Sequence, residues 1–93
     1  MTDDTPLYAQ TQLPVVNPNG TSRTELVSQK LDASVAVRTA AIALREGPPH
    51  GRDYPDTAAF AKAQGIHLHR LSTLREIERA LEAEALEIHR GGE

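Results

Sequence analysis

The chain has 93 residues, 39% of them hydrophobic but only 3% aromatic, with a formal net charge of −3 and no cysteine. These values bound it to one small domain and exclude disulfides and thiolate metal sites. They also speak against a non-specific nucleic-acid binder, which needs concentrated positive charge to displace counterions.

No apolar run approaches the roughly 18 residues needed to cross a bilayer. The start, MTDDTPLYAQ, is acidic where a signal peptide is basic. A soluble, non-secreted protein that avoids membranes is therefore expected.

Residues 1–21 hold Pro6, Pro14 and Pro18, one glycine and no Lys or Arg. Proline removes donors and fixes φ, so this segment is expected to be an extended arm. It is not purely polar: Leu7, Tyr8, Leu13, Val15 and Val16 punctuate it. Two readings stay open, a floppy leader or a docking peptide that lays these side chains on a partner. Asn19, Gly20 and Thr21 match a glycosylation sequon, but without a secretory signal they read as a turn.

Ser22 followed by Glu25 forms a capping-box pattern before an apolar run. The spacing predicts a helix over 23–46, about 36 Å long. Leu26, Leu31, Val35 and Ile42 are its expected packing residues. Gly47, Pro48 and Pro49 stop it.

The connecting loop, 47–56, gathers His50, Arg52, Asp53 and Tyr54. Those types would supply a base, an anion clamp and an orienting carboxylate if they converged on a pocket. The tip of a helical hairpin has no walls, and no second cluster lies elsewhere to meet it. The loop is read as a rigid corner in which Arg52 and Asp53 bond backbone groups and Tyr54 packs on a helix end, with a partner-contact surface at its tip and no catalytic residue.

The second helix is predicted over 57–90, opened by Asp56 as cap with Pro55 and Phe60 as a hydrophobic staple, and closed by Gly91-Gly92. Leu71, Leu74, Ile77, Leu81, Ala85 and Ile88 recur at steps of three and four, and Leu71, Leu74, Ile77, Leu81 and Ile88 are its expected packing residues. Gly65 interrupts the pattern and is the expected place for a kink.

Residues 58–75 also allow a rival reading, a helix-turn-helix with Gly65 as its turn. The glutamates that follow would repel a phosphate backbone, so nucleic acid is disfavoured. His67 and His69 lie two apart, pointing away from each other on a helix, whereas metal-binding helical histidines are three or four apart. No metal and no cofactor are expected. Charges flanking the stripe read either as a solvated face with local pairs, Glu76–Arg79 and Glu87–Arg90, or as selectors of a helical partner in coiled-coil style.

At NPNGTS (Asn17 to Ser22) and PHGRDY (Pro49 to Tyr54) the chain resembles small helical proteins encoded in tailed-phage and prophage genomes. They combine a proline-containing leader, a helix, this loop and a second long helix. The likeness spans roughly residues 17–90 and departs at Gly65, where an uninterrupted helix is expected. No activity is attached to such proteins, so no catalytic residue carries over. The resemblance implies a virion component or assembly factor, in the particle or the host cytoplasm.

The expected architecture is all-α: an extended arm, 1–21, then an antiparallel two-helix hairpin, 22–93. Two helices bury little on their own. Protein partners are therefore expected, either further copies in a homo-oligomer or a larger virion protein.

Overall fold

The computed structural model describes residues 4–91. The first three residues of the acidic start and Gly92 of the closing pair lie outside the described residues. Two helices make up the body: α1, Arg23–Glu46, and α2, Thr57–Arg90. They pack against each other as a hairpin, with short 3-10 turns at Leu7–Ala9 and Gly51–Asp53 and no strand among the described residues.

Both helices begin on side-chain caps. Ser22 Oγ accepts from the Glu25 N–H at 3.1 Å, and Asp56 Oδ1 accepts from the Ala59 N–H at 2.8 Å. Each satisfies one of the backbone donors that a first turn leaves unpaired. At the other end of α1, Gly47 has a φ of −118°, which any residue can adopt. The stop therefore comes from Pro48 and Pro49, which lack donors and disfavour helical geometry in the residue before them.

α2 runs unbroken through Gly65. The helix-turn-helix reading of 58–75 is corrected by this continuity, because the turn it needs at Gly65 is helix. The cause is cooperative. One interior glycine costs about 1 kcal/mol against alanine, less than the packing gained along a 34-residue helix. A Cβ added at Gly65 would meet nothing within 4 Å. Gly65→Ala is expected to raise stability by about 0.5–1 kcal/mol in urea unfolding, with no change in fold.

The seam follows a seven-residue repeat on both helices. On α2 it runs through His67, Leu71, Leu74, Glu78, Leu81, Ala85 and Ile88, all at least half-buried. On α1 it runs through Arg23, Val27, Lys30, Ser34, Val37, Ala41 and Leu44. Alternating steps of three and four keep one stripe facing a partner helix.

Of the nine residues expected to pack, Leu26, Leu71, Leu74, Ile77, Leu81 and Ile88 are buried or half-buried. Leu31, Val35 and Ile42 are not, and their placement is a correction: each stays exposed. The row of α1 that meets α2 carries the small Ser34 and Ala41. Small side chains let helices approach closely, while the three large residues point to one side of the contact.

The result has very little core. Among the described residues only Ala85 and Ile88 are buried apolar residues, and eleven large hydrophobic side chains are exposed. The accessible surface is 7017 Å², against about 5,300 Å² for a folded monomer of this mass. The radius of gyration is 17.9 Å, against roughly 12 Å for a compact chain of this length.

Candidate interaction surface

Three surfaces carry the residues expected to be functional: the arm, the loop and the flank of the hairpin left by Leu31, Val35 and Ile42.

The arm does not stand free. It lies along α2 of its own hairpin. Tyr8 Oη donates to Glu76 Oε2 at 3.0 Å, and the Gln12 N–H donates to Glu84 Oε2 at 3.3 Å. Glu84 Oε1 also pairs with Lys30 Nζ at 3.5 Å, so one carboxylate ties the arm to both helices. Further along, Leu13, Pro14, Val15 and Val16 form a cleft of about 370 Å³ with Arg23, Glu87 and Ile88. At that end Arg23 Nε is buried and makes no hydrogen bond with the described residues. The arm covers this flank loosely: Leu7 is 83% exposed and Val15 86%, while Tyr8, Leu13 and Val16 are near 40%. The NPNG turn follows, with Asn17 Oδ1 accepting from the Asn19 N–H at 3.0 Å and Asn17 O from the Gly20 N–H at 3.1 Å.

The Glu76–Arg79 pair expected on α2 does not form; Glu76 accepts from the Tyr8 hydroxyl. The Glu87–Arg90 pair is present at 3.5 Å.

The loop is a structured corner. The Asp53 N–H donates to His50 O, the Tyr54 N–H to Gly51 O, and the Tyr54 ring sits 6.0 Å from that of Phe60. His50, Arg52 and Asp53 point outward and form no side-chain hydrogen bond or ion pair with the described residues. Backbone bonds and one aromatic contact hold the turn, and the expected bonds from Arg52 and Asp53 to backbone are not made. Its polar tip is presented to solvent. No group of three metal-ligating side chains occurs among the described residues, and no helix there is long and apolar enough to cross a membrane.

On the flank opposite the arm, Arg38 bridges the helices. Its Nε donates to Glu78 Oε2 at 2.6 Å and its Nη2 to Glu82 Oε2 at 3.0 Å. The Glu78 hydrogen bond and charge, then Glu82, hold the guanidinium above its ordinary range. A raised folded-state value stabilises at every pH below the arginine range and is lost only as pH rises through it. Titration of Arg38 therefore leaves stability flat across neutral pH.

Leu31 lines an apolar cleft with Val27, Ala85 and Leu86, and Ile42 lines a mixed one in which Ala41 and Leu71 sit among Arg38, Arg45, Arg75 and Glu78. Sequence reasoning took Leu31 and Ile42 as seam, named Glu84 only among the charges flanking the stripe of α2, and missed Arg38. Glu84 and Arg38 are charged residues inside long helices, and only the position of the second helix shows what they bind.

Fold and surface together define a two-helix hairpin strapped by its own N-terminal segment on one flank and bare on the other. The chain matches no protein-family model, no curated protein and no solved structure.

Proposed function

We propose that this chain is a non-enzymatic structural or adaptor protein of a phage particle or of its assembly, which self-associates or docks on a larger virion protein through its arm and helices. The observation that carries this reading is the surface. Among the described residues two apolar side chains are buried and eleven large ones are exposed, six on the hairpin and five on the arm, so the chain has far more to gain from a protein neighbour than from its own core. The phage context rests on the resemblance at NPNGTS and PHGRDY. The virion or the host cytoplasm is the compartment that follows from it.

The rigid loop tip and the edges of the arm are the surfaces offered to the larger partner. A polar tip fixed by backbone bonds loses little entropy on binding.

The test is recovery of the tagged chain from infected cells or purified particles, with identification of the virion protein that accompanies it. His50→Ala combined with Arg52→Ala is expected to leave helicity unchanged and weaken that association about tenfold, as removal of exposed interface anchors does. Equal recovery of the partner with both versions removes the loop from the interface, and absence of any virion partner removes the adaptor reading.

A further inference from the structure

We propose that Arg45, Arg75 and Arg79 form a binding groove for an acidic segment of a protein partner, one that carries apolar side chains beside its carboxylates. This rests on the adaptor reading above and names the chemistry that a partner presents to the helices.

The three cations stand together without counter-charges. Arg45 of α1 and Arg75 of α2 line one cleft of about 310 Å³ between the helices. Arg75 and Arg79 line a second, of about 390 Å³, along α2. Arg75 and Leu71 belong to both, so the two clefts make one groove. None of the three arginines makes a side-chain hydrogen bond or ion pair with the described residues. Carboxylates are not scarce in a chain with 13 acidic residues against 10 basic ones, but those at the groove are engaged elsewhere. Glu78 is held by Arg38, and Glu76 accepts from the Tyr8 hydroxyl.

Their arrangement favours an anion between them. Arg75 and Arg79 lie one turn apart on the same face of α2, where like charges repel, and Arg45 reaches the same groove from the other helix. An anion seated among them relieves that repulsion. Each guanidinium offers a planar fork of donors that matches a carboxylate with two parallel hydrogen bonds.

The floor of the groove selects the kind of anion. Ala41, Ile42 and Leu71 line the first cleft, and Leu68 joins Leu71 in the second. Ile42 is 40% exposed and Leu68 63%. A bare phosphate would leave this surface wet, whereas apolar side chains next to a carboxylate cover it. Glu78 and Glu82 border the groove at Arg38. A nucleic-acid strand, with a charge about every 3.4 Å, would run onto them. A short acidic and apolar stretch of protein fits between.

Fluorescence anisotropy of the full chain with a labelled peptide of alternating glutamate and leucine pairs tests the site. Binding should weaken as salt is raised, because exposed charges are screened. Arg75→Ala, at the junction of the clefts, should weaken it about tenfold, and Arg45→Ala and Arg79→Ala somewhat less. Arg70→Ala, which lines neither cleft, should leave it unchanged. All four arginines are exposed, so circular dichroism of the variants should match the original. The same peptide with glutamine in place of glutamate should not bind.

Equal affinity in Arg75→Ala, or a glutamine peptide that binds as well, would overturn the site. A single-stranded oligonucleotide that binds more tightly than the glutamate peptide would overturn the acidic protein segment in favour of phosphate. An Arg75→Ala chain that loses the peptide but recovers a virion protein as well as the original contradicts this inference and keeps the adaptor reading. An original chain that binds the peptide through Arg75 and recovers no virion protein keeps the site and contradicts that reading.

Discussion

Replacing Ala85 with aspartate is expected to unfold the hairpin. Ala85 is 3% exposed and lies on the seam beside Val27, where α2 faces α1. A carboxylate there would be buried with no cation assigned to it, next to Glu84, whose own charge is already shared between Lys30 and the arm. An uncompensated buried charge costs about 3–5 kcal/mol, a large part of the roughly 5–14 kcal/mol that a chain of this length can hold. Loss of the helical far-ultraviolet signal at room temperature is the expected readout. Ala61→Asp, at an exposed position of the same helix, should stay within about 0.5 kcal/mol of the original. If Ala85→Asp melts like Ala61→Asp, the seam does not run through Ala85.

Glu84→Ala is expected to release the arm while leaving the helices paired. Its carboxylate accepts from the Gln12 N–H and pairs with Lys30, with only 11% of the side chain exposed. Removing it strands one backbone donor and one ammonium, and unsatisfied groups of this kind cost about 1–3 kcal/mol. Lys30 is a third exposed and can turn to water, so most of the loss falls on the arm. Hydrogen exchange at the Gln12 amide should accelerate, and proteases should cut within the arm. Glu84→Gln keeps an acceptor and should show a smaller effect. Unchanged exchange at Gln12 in Glu84→Ala would mean that the arm is held by its apolar contacts alone.

The helices themselves were legible because their signals are local. A hydroxyl or carboxylate cap, an apolar stripe and a pair of prolines all act within a few residues of each other. Ser22, Asp56 and Pro48 each do in the structure what their chemistry dictates. The side of α1 that packs was not legible. Its apolar arc is wide enough to cover two faces, and hydrophobicity favours Leu31, Val35 and Ile42 over Ser34 and Ala41. Helix separation reverses that preference, because the closest approach selects the smallest side chains.

The path of the arm was hidden for a related reason. Its anchors are one tyrosine hydroxyl and one backbone N–H, paired with glutamates about seventy residues away. Nothing in the spacing of an extended segment encodes such a distant partner. The loop was half legible. Its prolines and glycines announced a corner, and the outward direction of His50, Arg52 and Asp53 followed from the hairpin. Tyr54 was expected to pack on a helix end, and the structure supplies its partner there, the Phe60 ring.

We propose that this chain does not complete its fold alone, because its large side chains face outward. Sedimentation equilibrium of the purified full chain tests it most directly. The expected result is an associating species of at least twice the 10.1 kDa chain mass, dissociating only on dilution and losing thermal stability as it does so. A 10.1 kDa monomer at high micromolar concentration, melting cooperatively at a temperature independent of concentration, would contradict it.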